Sequence, residues 1–171
     1  MTNPPHRTVT AGELILFLDI DGVLHSDWDR DFVPFCKLPL VEQVLREHSH
    51  VNIVLSTSWR ETDTLDALRE LFSEDIRPRV IDVTPELDWL SHLRYPCPLS
   101  DTNRQSECEA WLIENRTMQH PWIALDYHHW WFEPDCKRLF TTRPKTGLMD
   151  YELFAFSNFI KRNTLPKESH T

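Results

Sequence analysis

Leu14-Ile15-Leu16-Phe17-Leu18-Asp19-Ile20-Asp21-Gly22-Val23-Leu24 joins five consecutive apolar residues to two acids and a glycine. An apolar run of this length, closed abruptly by polar residues, reads as a strand buried on both faces. Two carboxylates two positions apart point the same way while the strand stays regular. Gly22 then lets the chain turn sharply. Neighbouring acids are costly to leave unpaired, so the pattern asks for a divalent cation or a shared proton. A hard cation such as Mg2+ uses one or two carboxylates and keeps its remaining positions for water and phosphate oxygen. On this stretch alone, an Asp-x-Asp-Gly turn without chemistry is the plain alternative.

Further runs of the same kind lie on either side of helical patterns. Val51-Asn52-Ile53-Val54-Leu55 ends at Ser56, Arg79-Val80-Ile81 ends near Asp82, Trp122-Ile123-Ala124-Leu125 ends at Asp126, and Leu139-Phe140 ends at Thr141. Between and after them, Leu38, Leu40, Val41, Val44 and Leu45 form one helical face, and Leu65, Leu68, Leu71 and Phe72 another. Cys108, Trp111 and Leu112 supply a third, and Leu153, Phe154, Phe156, Phe159 and Ile160 a fourth, with the three phenylalanines read as core. Alternation of this sort predicts an α/β fold around a parallel sheet. Asp19, Ser56 and Asp126 stand at strand carboxyl ends, where open α/β sheets bind ligands, so they are expected on one rim. Residues 22–37, with Trp28, Phe32, Pro34 and Phe35, are expected to arch over that rim as a flap, and residues 83–103 to form a small insertion.

At 171 residues the chain suits a single domain over 1–171, with a core at about 13–161 and frayed ends at about 1–11 and 162–171. No apolar run approaches the roughly 20 residues that span a bilayer, and the polar stretch from Met1 to Gly12 does not read as a signal peptide. Four cysteines without a C-x-x-C pair favour reduced thiols and a cytoplasmic location. A net charge of -9 argues against holding extended duplex, which takes a basic face, unless Arg77, Arg79, Arg94 and Arg104 converge. It leaves a nucleic-acid end open as substrate.

Asp19-Ile20-Asp21-Gly22-Val23 after an apolar strand resembles the first motif of the haloacid dehalogenase (HAD) superfamily. Ser56, closing its strand, resembles the second motif, Arg104 the basic third and Asp126 the acidic fourth. Together with Ser56-Thr57-Ser58-Trp59-Arg60, Glu109-Ala110-Trp111-Leu112 and Gly147-Leu148, these residues resemble the small, nearly capless HAD domains found alone and within RNA-repair proteins. The likeness covers roughly residues 13–160. It implies a three-layer Rossmann-like sandwich with a five-stranded parallel sheet ordered 5-4-1-2-3.

The resemblance also implies an Mg2+-dependent phosphomonoester hydrolase acting through an aspartyl-phosphate. Asp19 would be the nucleophile and Asp21 the acid/base. Asp19, the backbone carbonyl of Asp21 and Asp126 would hold Mg2+, while Ser56, Thr57 and Arg104 bind phosphate. Asp21 favours phosphate over carbon–halogen chemistry. Nucleotides, nucleic-acid ends and other phosphomonoesters are the expected substrates. A catalytically weak phosphate-sensing module is the rival reading, and a phosphotransferase or phosphonatase a third.

The sequence departs from the subgroup at Tyr127, where a second acid usually follows Asp126; Glu133 or Asp135 is a candidate to fill that position. Trp59 and Arg60 read equally as substrate contacts or as packed structural residues. His128 reads as a substrate contact rather than as half of a His128-His129 metal pair, because adjacent residues point apart in extended chain. Trp130-Trp131-Phe132 reads as packed aromatic structure. Cys36 lacks any setting that would activate a nucleophile.

Overall fold

The structure, a computed structural model, describes residues 9–88, 95 and 99–164. Five strands build one sheet: β1 (Leu14–Leu18), β2 (Val51–Leu55), β3 (Val80–Val83), β4 (Trp122–Asp126) and β5 (Leu139–Thr141). All neighbours are parallel and the order is β3-β2-β1-β4-β5, the expected 5-4-1-2-3 read from the other edge.

Among the described residues four α-helices accompany them: α1 (Leu38–Glu47), α2 (Leu65–Arg69), α3 (Asn103–Glu114) and α4 (Leu153–Thr164). Alternate strand residues serve opposite faces. Leu14, Leu16, Leu18, Ile53, Leu55, Ile123 and Leu125 pack with Val41 and Leu45 of α1, Leu68 of α2, and Phe156 and Ile160 of α4. Ile15, Phe17, Val54, Trp122 and Ala124 pack on the other side with Cys108, Trp111 and Leu112 of α3. This two-sided burial is why β1, β2 and β4 read as unbroken apolar runs.

Register brings the strand ends level. Leu18 pairs with Leu55 on one side and Leu125 on the other. Past the last residue of β1 and β2 the ladder continues for one bond each. Asp19 N–H donates to Leu125 O at 3.0 Å, and Ser56 N–H to Leu18 O at 2.8 Å. Asp19, Ser56 and Asp126 are thereby fixed on one rim by main-chain bonds.

Some expectations change. α4 stays helical through Thr164 rather than fraying at 162. Phe154 is 79% exposed, whereas Phe156 is fully buried and Phe159 partly so. Residues two apart on a helix lie on nearly opposite faces, so Phe154 and Phe156 cannot both face the sheet. Arg77 pairs with Glu70, and Arg79 donates to the carbonyls of Leu45, His48 and Val51 at the amino end of β2. Neither joins Arg104. Cys36, Cys108 and Cys136 are free thiols. Much of the expected 83–103 insertion, with Arg94 and Cys97, lies outside the described residues, as do 1–8 and 165–171. No helix among the described residues is long and apolar enough to cross a membrane.

The contrast within α4 has a measurable consequence. Phe156→Ala is expected to cost about 3–5 kcal/mol, the usual range for emptying a buried aromatic site. Phe154→Ala should stay within about 0.5 kcal/mol. Urea unfolding of the two variants checks both.

Candidate active site

Asp19 and Asp126, at the ends of adjacent strands, are 2% and 1% exposed. Asp19 Oδ1 accepts the Ile20 N–H at 2.8 Å, and Asp126 Oδ1 accepts the His128 N–H at 2.8 Å. The second oxygen of each, Oδ2, is buried without a hydrogen-bond partner among the described residues. Arg104, in the first turn of α3 and itself buried, lies 3.9 Å from Asp19 and 4.0 Å from Asp126. Burial first, and then the Asp126 charge, push the Asp19 carboxyl up from the ordinary 3.8 to about 6, against the pull of His128, Arg104 and the Ile20 N–H.

One guanidinium beside two carboxylates leaves a net negative charge in a dry place. Two orphaned carboxylate oxygens there are what a small hard cation takes as ligands, and the donor set fits one.

Asp21 is half-exposed and held differently. His25 lies one helical turn's spacing beyond it, fully buried. The Phe35 N–H donates to His25 Nδ1 at 3.2 Å, which leaves the hydrogen on Nε2, and Nε2 donates to Asp21 Oδ1 at 2.9 Å. Trp59 Nε1–H reaches both oxygens, at 3.0 and 3.1 Å. Burial works against the anion, but these two donors prevail and hold the Asp21 carboxyl below its ordinary value.

Ser56 is buried, and its Oγ has no well-formed hydrogen-bond partner among the described residues. Thr57 is fully buried, and its Oγ1 caps the short 3-10 helix Ser58–Glu61 by accepting from Trp59 N–H. Arg60 is tied down. It donates to Thr57 O at 3.0 Å, Thr84 Oγ1 at 3.1 Å and Glu107 Oε1 at 2.7 Å. Glu107 also pairs with Arg104 at 3.5 Å, so the loop after β2 and the start of α3 share one largely buried acid. A cleft of about 180 Å3, lined by Ser58, Arg60, Asn103, Arg104, Glu107 and Trp131 among others, opens beside this pair.

The segment after β4 is aromatic. Tyr127 turns its ring over Gly22 and donates its hydroxyl to Asp27 Oδ2 at 2.6 Å, binding the flap to this segment. His128 turns back to the carboxylates, with Nδ1 3.0 Å from Asp126 and 3.7 Å from Asp19. Its ring is stacked on Trp131 at 3.5 Å and lies 3.6 Å from the Tyr127 ring. Burial lowers its proton affinity, but the two carboxylates raise it more, so its pKa lies above the ordinary value.

Glu133 and Asp135 are exposed and line a groove beside α3 rather than filling the place of a second acid. Of the three expected packed aromatics, Phe132 is buried and Trp131 partly so. Trp130 is 55% exposed, and Trp28, next to Asp27 in the flap, is 70% exposed. Sequence reasoning passed over His25, Asp27 and Glu107. Only His25 left a local signal, its four-residue spacing from Asp21.

A sheet of this order with acids gathered at its carboxyl ends defines a domain of HAD type. A family model described as the HAD domain in Swiss Army Knife RNA repair proteins matches residues 15–153, and the chain belongs to that family. No curated protein and no solved structure matches it.

Gly22 and Tyr127 depend on each other. A Cβ at Gly22 would lie 2.3 Å from the Tyr127 ring, and its φ is +67. Gly22→Ala is expected to destabilise by about 1–3 kcal/mol, measured by chemical denaturation, with part recovered in Gly22→Ala/Tyr127→Ala. A second expectation concerns pH. Between 3.8 and about 6, Asp19 is protonated when folded and ionised when unfolded. Its contribution to stability is therefore complete below the lower value and lost as pH rises through the upper one. Without divalent cation, the melting temperature should fall across this window more steeply in the wild type than in Asp19→Asn. A divalent cation that took these oxygens would compete with the proton, so it would raise the melting temperature more near pH 7 than near pH 5. Equal slopes in both proteins would reject the assignment.

Proposed function

We propose that the protein hydrolyses phosphate monoesters through a covalent aspartyl-phosphate on Asp19. The observation that carries this reading is the pair of buried carboxylates at the sheet rim, Asp19 and Asp126, each with one oxygen lacking a hydrogen-bond partner and both flanking Arg104. Asp19 attacks phosphorus in line, forming its own P–O bond as the ester P–O bond breaks. Asp21 gives a proton to the departing alkoxide. It then takes one from the water that attacks the phosphorus of the aspartyl-phosphate, releasing phosphate and restoring Asp19.

The donors on Asp21 favour its anion, which suits the second step. The negative charge of an arriving phosphate raises its proton affinity for the first. Arg104 and the Ser56 hydroxyl supply donors to the phosphoryl oxygens. Bound Mg2+, held by Asp19, Asp126 and the Asp21 carbonyl, would shield the nucleophile from phosphate and stabilise charge as it develops.

The substrate reading is a phosphorylated nucleotide or nucleic-acid end. Support comes from the family description, with its reference to RNA repair, and from the exposed Trp28 and Trp130. Exposed indoles offer bases a stacking surface worth about 1–3 kcal/mol per base.

Phosphate release from a panel of phosphomonoesters, including 3′- and 5′-phosphorylated oligonucleotides, tests the proposal. Release should need a divalent cation and fall on the order of 10^3-fold or more in Asp19→Asn. Undiminished release in that variant, or none from any substrate in folded protein, rejects it.

A further inference from the structure

Residue 127 stands where an acid would complete a cation-binding set, and its tyrosine ring is directed instead to Gly22 and Asp27. The next side chain returns to the crevice. Ligand atoms of Asp19, Asp126 and His128 all lie within 4.8 Å of one another, and all three residues are buried. The Oδ2 atoms of both acids are buried without a hydrogen-bond partner among the described residues, that of Asp19 lying 3.7 Å from His128 Nδ1. The imidazole cannot swing away without losing its stack on Trp131, over which the Arg104 guanidinium also sits at 5.3 Å. A ring so clamped presents Nδ1 at a fixed angle, as metal-ligating histidines are held by their surroundings.

We propose that His128 is a cation ligand through Nδ1, and that the crevice prefers a divalent first-row transition cation, such as Mn2+, to Mg2+. The inference rests on the reading of this crevice as a cation-dependent hydrolase site and specifies its cation. Mg2+ favours oxygen ligands in strict octahedral geometry, whereas imidazole nitrogen adds affinity for softer ions. Two carboxylate oxygens and one imidazole nitrogen therefore discriminate in favour of Mn2+ and the ions after it in the series. Ligation takes the Nδ1 lone pair, so the ring hydrogen sits on Nε2 when a cation is bound.

The test uses the full chain without substrate. Mn2+ and Mg2+ are titrated by calorimetry, and bound Mn2+ is examined by pulsed EPR, with folding of each variant checked by circular dichroism. Wild type should bind Mn2+ about 10-fold or more tighter than Mg2+ and show coupling from a directly bound nitrogen. His128→Asn should abolish that coupling and lower Mn2+ affinity about 10-fold or more, with a smaller change for Mg2+. His128→Asp, which restores an oxygen donor, should shift the preference back toward Mg2+.

Bound Mn2+ without nitrogen coupling, an unchanged Mn2+/Mg2+ ratio in His128→Asn, or a folded protein that binds neither ion overturns the assignment. Nitrogen-coupled Mn2+ in a protein that releases no phosphate would uphold it and remove the hydrolase reading. Mg2+-supported release with oxygen-only coordination would do the reverse.

Discussion

Two carboxylates held side by side in a dry crevice set the terms for everything around them. With their ligand atoms within 4.8 Å, two full negative charges repel by about 3.5 kcal/mol or more at an effective dielectric near 20. Neither can move away, because each sits on the end of a central strand whose ladder is complete on both sides. The repulsion is met from outside the sheet. Arg104 approaches from α3, His128 from the loop after β4, and Asp19 itself gains proton affinity. The crevice is thus a place where positive charge is stabilised strongly and negative charge only with a partner.

Around this centre the side chains divide the work by their degree of freedom. Asp21 is only half-buried, yet its two oxygens are caught by His25 and Trp59, and His25 is in turn fixed by a backbone amide of the flap. Asp21 is therefore positioned by the flap as well as by its own strand. Arg60 and Arg104 meet on Glu107, which joins the loop carrying Ser56 and Thr57 to the first turns of α3. Guanidiniums from two distant parts of the chain are held to one geometry by a single largely buried acid, and burial still pushes the Glu107 carboxyl above its ordinary value against the pull of both charges.

Much of the fold was legible in the sequence because β1, β2 and β4 are buried on both faces, so their residues need no alternation. The rim residues could be named for the same reason: a polar residue ending such a run has only the crevice to enter. The sheet order was not readable from periodicity and came from the motif resemblance. What escaped were contacts between residues far apart in the chain, such as Asp27 with Tyr127 and Arg60 with Glu107, for which no local pattern exists. Phe154 was misplaced because a run of aromatics conceals the phase of its helix. The direction of His128 was hidden because it depends on stacking against Trp131, a tertiary arrangement rather than a property of extended chain.

The interlock of Tyr127 with Gly22 limits how this crevice can change over generations. An acid at 127 would leave open the space that the ring now fills and would release Asp27 from its hydroxyl, so the flap would lose an anchor at the moment a new charge appeared beside Asp126. A side chain at 22, conversely, is accessible only after the ring has gone. The two positions must therefore drift in a set order. The chemistry of the rim and the fastening of the flap form one inherited character rather than two.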